Sequence, residues 1–246
     1  MKRAFEFKDE KSHKFWWIET EKNKFVVNYG KADTIGKYEI KEWDSIEECK
    51  KQAEKLINSK VKKGYKESKN FDFDNHYYFD DVEYGLDFLT SHLVFRKYFN
   101  DENIYCNCGD EETPFGSDTG NDALYILEEK IRKRKNFDFN SFPEELVEKE
   151  WEMEFVEPVE ITDKKSFEEE CKKSEKGLPR ETIIYQSDQV VIAAAFAQIK
   201  ITGKIDKELK RRALLSLKRI ETIAGIYGYK ESEIGKKLYS DLENID

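Results

Sequence analysis

The sequence has few of the residues on which disulfide frameworks and metal sites depend, and it has no long hydrophobic run. Its 246 residues include four cysteines and three histidines. Four cysteines in a chain of this length do not make a disulfide framework. No apolar run approaches the ~20 residues that a membrane helix needs, and the first six residues, MKRAFE, leave no apolar signal region. These absences predict a cytoplasmic protein that has no membrane partner.

The motifs of common catalytic and metal sites are also missing. Cys106 and Cys108 form a C-x-C pair without a second Cys or His pair at zinc-ligand spacing, and tetrahedral zinc needs four ligands. His13, His76 and His92 are scattered along the chain, away from any metal spacing or plausible nucleophile. There is no P-loop, dinucleotide glycine fingerprint or G-x-S-x-G elbow. We therefore expect no enzymatic activity, no bound metal and no cofactor.

Charge is abundant and unevenly distributed. Charged residues make up 39% of the chain, and the net charge is -9. Residues 1–69 carry 18 Lys/Arg and 13 Asp/Glu, a balance of +5, and the rest of the chain has a balance of -14. A basic module favours phosphate binding, and an acidic one indicates a different task. Two solvated faces of opposite charge explain the same numbers, because charge balance does not determine a fold.

The first 67 residues predict a complete small α+β domain, a four-stranded antiparallel sheet packed on one helix. Ser45 and Glu48 make a capping box. The helix that follows keeps its apolar residues at helical spacing and stops at Gly64. Lysines near its end complement the helix dipole. Branched and aromatic residues favour strands, and they predict four of them: 3–9, 14–20, 24–29 and 37–43.

The turn after the third predicted strand carries a candidate binding site. Gly30 and Gly36 allow the backbone to curve or to be approached closely. Tyr29 and Lys31 flank Gly30, so a ring and an ammonium group can face one ligand from one turn. A base or sugar suits the ring, and a phosphate suits the cation. The combination predicts a site for the end of a nucleic acid.

Residues 3–67 resemble a WGR domain, the module named for a Trp-Gly-Arg turn and known best from DNA-dependent poly(ADP-ribose) polymerases. It also occurs in bacterial regulator-like proteins. The matching segments are Lys14-Phe15-Trp16, Tyr29-Gly30-Lys31, Thr34-Ile35-Gly36 and Lys62-Lys63-Gly64-Tyr65. In the polymerases the signature aromatic residue stacks at a DNA break and the arginine contacts the backbone. The resemblance implies DNA ends or nicks as a partner, with six residues as the nucleic-acid site: His13, Lys14, Tyr29, Gly30, Lys31 and Lys37.

Three positions depart from the family pattern. Tyr29 replaces the signature tryptophan and offers less stacking area. Lys31 replaces the arginine and lacks its planar, bidentate fork. His13 stands where the family has an asparagine. A packing module without any role in nucleic-acid binding is the alternative, because a fold does not fix a function.

The remainder of the chain predicts a linker, residues 68–81, and a mostly helical domain, residues 82–246. Residues 82–98 have the pattern of one helix, and residues 151–161 alternate like a strand. The alanine-rich run Val190–Ile199 is apolar all round, which is typical of a buried helix. Ser187 and Asp188 are its expected caps, and helices over 205–224 and 230–243 follow. The first of these is expected to point five basic residues outward: Lys207, Lys210, Arg211, Lys218 and Arg219.

The motif Pro114-Phe115-Gly116-Ser117-Asp118-Thr119-Gly120 precedes another apolar helix. Ser117, Asp118, Thr119 and Asn121 compete to cap that helix. A calcium loop is the alternative, with hard oxygen ligands from Asp110, Asp118, Asn121 and Asp122, although the alternating order of a calcium loop is absent.

Residues 113–223 resemble the YfeS-like group of uncharacterised bacterial proteins, through this motif and through the spine that ends Ile201-Thr202-Gly203. That resemblance implies a fold and no activity. The sequence thus predicts a non-enzymatic protein whose WGR module binds nucleic-acid ends and whose acidic helical domain contacts a protein partner. The alternative is an immunity-type or adaptor protein that has no role in nucleic-acid binding.

Overall fold

The computed structural model describes residues 1–133, 137–175 and 177–245. The chain divides into two compact units, Met1–Leu93 and Val94–Asp246. The first unit holds an antiparallel sheet with one long helix, and the second is mostly helical. The predicted α+β class is therefore confirmed. Residues 68–81, for which the sequence predicts a linker, lie within the first unit.

The sheet of the first unit has five strands, one more than predicted. The strands are β1 (Lys2–Lys8), β2 (His13–Glu21), β3 (Lys24–Lys31), β4 (Lys37–Glu42) and β5 (Lys66–Ser68). Their spatial order is β4-β3-β2-β1-β5. The added strand, β5, pairs antiparallel with β1, where Arg3 Nε and Nη2 each donate to a carboxylate oxygen of Glu67 at 2.8 Å.

Helix α1, Ile46–Lys62, covers one face of this sheet. The Ser45 hydroxyl caps it by accepting from the Glu48 amide at 3.1 Å. Alternation along the strands turns every second side chain toward the helix. Trp16, Ile18 and Phe25 form a core there with three buried residues of α1, which recur at helical spacing: Cys49, Ala53 and Ile57.

Residues 71–92 cover the opposite face of the sheet. The Trp17 ring, completely buried, lies with its centroid 5.7 Å from that of Phe73 and 5.9 Å from that of Tyr78. The carboxylate of Asp81 accepts from the backbone amide of Ile40 at 2.7 Å. This aromatic and acidic segment, which we call the covering segment, supplies the second half of the core of the unit.

The predicted single helix over 82–98 is wrong. The chain instead forms a 3₁₀ turn, Phe88–Thr90, and a short helix α2, Leu93–Tyr98. Gly85 has φ +85°, outside the helical region, and the Asp87 side chain accepts from the amide of Leu89 at 2.8 Å. These local contacts compete with a continuous helix.

The second unit is organised around one buried helix, α7 (Arg180–Thr202). Most of its residues from Ser187 to Thr202 are buried, which confirms the predicted alanine-rich spine. It packs against α4 (Asp118–Lys133) and α8 (Lys207–Ile226). The short helix Phe142–Glu144 is followed directly by a π-helical turn, Glu145–Glu150. The helices after α2 are α3 (Glu102–Tyr105), α4 (Asp118–Lys133), α5 (Phe142–Glu144), α6 (Lys164–Cys171), α7 (Arg180–Thr202), α8 (Lys207–Ile226) and α9 (Glu233–Glu243).

Three polar residues of this unit were assigned wrongly from the sequence. Helix α7 begins at Arg180, so Ser187 and Asp188 lie inside it and cap nothing. Arg219 does not point outward: it is 1% exposed, and its Nε and Nη2 donate to the two oxygens of Asp188 at 2.8 Å each. Burial raises the pKa of Asp188 to about 6, and the guanidinium of Arg219 opposes that rise. Ser187, Asp188 and Arg219 therefore form hydrogen bonds with distant parts of the unit instead of capping a helix or facing solvent.

The predicted strand over 151–161 is also wrong, because side chains from α7 and α8 form hydrogen bonds with the backbone of this segment. The amide of Val156 donates to the Ser187 hydroxyl at 3.0 Å. Arg219 donates to the carbonyl of Val156 at 2.8 Å and to that of Glu157 at 2.7 Å. Backbone groups that are satisfied in this way need no neighbouring strand.

Ser117 caps α4: its hydroxyl accepts a hydrogen bond from the backbone amide of Gly120 at 3.0 Å. A Cβ atom on Gly116 would lie 1.9 Å from the carbonyl oxygen of Asp110, so the motif requires glycine for close packing. The Asp110 carboxylate accepts from the amide of Glu112 at 3.1 Å. Across the described residues, no three His, Cys, Asp or Glu side chains are grouped to hold a metal ion. Helices long and apolar enough to span a membrane are likewise absent from the described parts of the chain.

Candidate nucleic-acid interface

The turn between β3 and β4 is held in shape by buried polar contacts. Gly36 has φ +78°, and a Cβ atom there would lie 2.6 Å from the Phe15 ring and 2.8 Å from the Tyr29 carbonyl oxygen. Buried Asn28 donates through Nδ2 to the carbonyls of Ile35 at 3.1 Å and of Lys37 at 3.2 Å. The turn is therefore a fixed element of the sheet.

The covering segment supports this turn from behind. His76 Nε2 lies 2.9 Å from Asn28 Oδ1, and since that oxygen accepts, Nε2 carries the proton. Burial first, and then the charge of Lys2, lowers the pKa of His76 to about 4. His76 is thus neutral near pH 7 and acts as a hydrogen-bond donor to Asn28.

Tyr29 lies half-buried on the α1 face of the sheet. Its hydroxyl donates to Glu39 Oε1 at 2.6 Å, and the ammonium of Lys37 donates to the same oxygen at 2.8 Å. The bonds from Lys37 and then from Tyr29 hold the pKa of Glu39 below its usual value, and the bond to Glu39 raises the pKa of Tyr29. The ring orientation is fixed by Glu39, and the charge of Lys37 is largely balanced.

Lys60 on α1 joins this group, although the sequence indicated only a dipole contact at the helix end. Its ammonium nitrogen lies 5.3 Å from the ring centroid of Trp16, 5.5 Å from that of Tyr29 and 5.3 Å from that of Tyr65. Such distances place it in cation–π contact with all three rings. Burial, and then the charge of Lys63, lowers the pKa of Lys60. In the sequence, the signal for this contact was the position of Lys60 one helical turn before Gly64 and Tyr65.

Lys14 and Lys31 lie directly opposite each other on β2 and β3. Both are exposed, and within the described part of the chain neither has a carboxylate at ion-pair distance. Like charges at opposed positions destabilise a sheet. Lys14 also contributes to the lowered pKa of Lys60. We call Lys14, Lys31, Lys60 and Lys63 the lysine cluster.

The predicted site residues do not all lie together. Lys14, Tyr29, Lys31 and Lys37 share the α1 face with Lys60, and Gly30 provides the backbone between Tyr29 and Lys31, paired with Phe15 of β2. Alternation along β2 places His13 on the other face, where its Nε2 lies 3.6 Å from a carboxylate oxygen of Glu6.

The charged residues of the covering segment are all acidic. Residues 70–92, most of which form the covering segment, contain six Asp/Glu and no Lys/Arg. Several of these carboxylates are engaged: Asp87 pairs with Lys24 and Asp81 accepts from backbone amides. Lysines lie on both faces of the sheet: Lys2 lies over the Phe73 ring at 4.2 Å on the covered face, whereas Lys14 and Lys31 lie on the α1 face.

Comparisons with known proteins identify the family of this chain. Residues 1–72 match the model of the WGR domain. The uncharacterised protein YfeS of Escherichia coli (strain K12) is 43% identical over 245 residues, which are 98% of this chain and 97% of that protein. The chain belongs to the YfeS family. Both resemblances seen in the sequence are confirmed, and the likeness to YfeS extends well beyond residues 113–223.

Two further relatives share only part of the chain of this YfeS family member. Protein YehF of Escherichia coli (strain K12) is 43% identical over 65 residues, 26% of this chain and 24% of that protein. A Bacteroides fragilis protein of known crystal structure is 31% identical and covers 54% of this chain and 39% of its own, with a TM-score of 0.28. A score that low carries no argument about the fold.

Proposed function

We propose that the WGR domain binds nucleic acid at an end or a nick through Tyr29 and the lysine cluster, and that the acidic helical unit contacts a protein partner. The observation that carries the first part is that Lys14 and Lys31 are exposed, have no carboxylate partner among the described residues and lie on the same face as the half-buried ring of Tyr29. Four lysines in one area give the local positive potential that phosphates require.

The lysines and the tyrosine have different roles in this proposal, and each role follows from the chemistry of the side chain. Phosphate contacts by lysine position the nucleic acid without reading its sequence. A tyrosine ring stacks on any base, because every base has a π face. At an end or a nick a terminal base pair has one unstacked face, so the ring gains there what it cannot gain along an intact duplex. The bond from Tyr29 to Glu39 holds the ring in one orientation before binding.

An interaction protein without any role in nucleic-acid binding is the competing function. A fully buried Tyr29 and a Lys31 paired to a carboxylate would favour it. Tyr29 is half-buried and bonded to Glu39, whereas Lys31 is exposed and unpaired among the described residues. The second of these observations favours the nucleic-acid function.

Substituting Tyr29→Ala tests the stacking role. We expect the free energy of binding to nicked duplex DNA to fall by about 1–3 kcal/mol, measured by fluorescence anisotropy. Tyr29→Phe is the matched control, since it keeps the ring and removes only the bond to Glu39. If the alanine variant binds nicked duplex as tightly as the parent, the ring is structural and the competing function is preferred.

Substituting Lys31→Ala tests the phosphate contact. The slope of log K against log salt should become shallower by about one unit, since one fewer counterion is released. The preference for a nick should remain. Lys50→Ala is the matched control, because Lys50 is an exposed lysine of α1 about 15 Å along the helix from Lys60. Equal slopes for the Lys31 and Lys50 variants would exclude the contact.

A further inference from the structure

The second unit contains a groove of about 770 Å³ that is separate from the lysine cluster. It is bounded by α7, α8, α9 and the loop that precedes α4. Its volume lies within the range of roughly 300–1,000 Å³ found for ligand clefts. Neither the WGR match nor the nucleic-acid proposal involves any of its residues.

The floor of the groove is apolar and its walls are rich in tyrosine. Three helices present residues at helical spacing, among them Ile192 of α7, Ile220 and Ala224 of α8 and Leu238 of α9. Four tyrosines surround this floor: Tyr185, Tyr227, Tyr229 and Tyr239. Tyrosine is enriched at the centres of protein interfaces, and those centres are more apolar than the surrounding surface. Tyr229 is 73% exposed, which leaves a large ring available to a partner.

Glu111 and Glu112 make the end of the groove beside Tyr185 acidic. Lys236 is already paired with Glu231 at 2.7 Å and with Glu233 at 3.0 Å. In the described chain Glu111 and Glu221 have no cation at ion-pair distance. Lys230 and Lys218 also line the groove, and the ammonium of Lys218 lies 4.9 Å from the ring centroid of Tyr239. Burial, and then the charges of Glu111 and Glu112, raises the pKa of Tyr185, so these carboxylates act on the same end as that ring. Carboxylates beside a tyrosine face favour a bound cation.

The Gln189 side chain adds a group suited to a peptide backbone. It is half-buried in the groove, and no hydrogen-bond partner for its amide is found among the described residues. A primary amide both donates and accepts, so it can bind the carbonyl and amide groups of one peptide unit.

We propose that this groove binds a short peptide segment of a protein partner, in which an arginine or lysine is flanked by apolar residues. The apolar side chains of the peptide fill the floor over Ile220 and Ala224. Its cationic side chain lies between Tyr185 and Glu111, and Gln189 bonds its backbone. This inference rests on the proposed partner role of the second unit and names the site and chemistry of that contact.

The test selects random short peptides displayed on phage against the full-length protein. Ala224→Trp fills the groove and serves as the counter-selection. We expect the enriched peptides to carry arginine or lysine next to apolar residues, and to lose binding to Ala224→Trp. Glu111→Gln combined with Glu221→Gln should weaken the best peptide about fivefold. Glu148→Gln, a substitution of an exposed glutamate outside the groove, should leave its affinity unchanged.

The outcomes separate the groove from the wider partner role. Peptides that bind the parent and Ala224→Trp equally would contradict the groove as the binding site. They would instead indicate a peptide-binding surface elsewhere on the protein. No enrichment of any peptide would overturn both. If Ala224→Trp does not fold, which circular dichroism would show, the double glutamine variant decides alone. Unchanged affinity of that variant, or enrichment of acidic peptides, would contradict the proposed cationic ligand.

Discussion

Replacing Arg219 by methionine should destabilise the second unit by about 3–5 kcal/mol, the usual effect of removing one partner of a buried ion pair. Arg219 is 1% exposed and Asp188 is completely buried. The substitution leaves the Asp188 carboxylate without its bidentate partner. It also leaves the carbonyls of Val156 and Glu157 without their donors. Native-state hydrogen exchange of the α7 amides measures the loss at the helix concerned.

The matched control replaces both charges at once. Arg219→Met combined with Asp188→Leu removes the stranded carboxylate, so much of the lost stability should return, because an apolar pair of similar volume often replaces a buried ion pair at little cost. The deficit that remains reports the two unsatisfied carbonyls. A loss below about 1 kcal/mol in the single variant would mean that the pair contributes no more than a surface contact.

Removing the covering segment should have an effect at least as large on the first unit. The sequence predicts that residues 1–67 fold alone, but Trp17, Phe15 and Tyr38 are buried under residues beyond that boundary. Exposing a large apolar side chain costs about 1.5–3 kcal/mol, and three of them approach the whole stability of a small domain, about 5–15 kcal/mol. We expect the fragment 1–93 to unfold cooperatively and the fragment 1–67 to show no cooperative transition.

Thermal unfolding of both fragments, followed by far-ultraviolet circular dichroism, makes this comparison. The fragment 1–67 keeps β1 to β4, α1 and all of β5 except Ser68, so a difference between the fragments reports residues 68–93, most of which form the covering segment. Equal transition temperatures for the two fragments would show that the covered face of the sheet contributes little. The boundary of the autonomous domain would then be residue 67, as the sequence predicts.

Elements with a local signal could be predicted from the sequence. The four long strands follow from alternation, α1 from its capping serine and apolar spacing, and α7 from its alanine-rich run. Each of these patterns needs no knowledge of what lies across the core. Strand β5 is too short, at three residues, to leave such a pattern.

Elements that depend on distant partners could not be predicted. Ser187 and Asp188 have the composition of a helix cap, and only the position of Arg219 and Val156 shows that they belong to a buried network. Residues 151–161 alternate like a strand, yet side chains of α7 and α8 satisfy their backbone.

The residues of the candidate site also differ in whether a local sequence pattern or a distant contact places them there. Tyr29, Gly30 and Lys31 were identifiable, because they are adjacent at one turn. Lys60 was not assigned to the site, since a lysine at a helix C-terminus already has a local explanation in the helix dipole. Its contact with three rings depends on the packing of α1 against the sheet.

Fluorescence anisotropy of the full-length protein with nicked and intact duplex DNA, each at two salt concentrations, tests the proposed function most directly. We expect tighter binding to the nicked duplex and a steep loss of affinity for both duplexes as salt rises. Lys14→Gln combined with Lys31→Gln should make that loss shallower by about two units of slope. No binding to either duplex at low salt, or equal affinity for the two, would contradict recognition of nucleic-acid ends by the WGR domain.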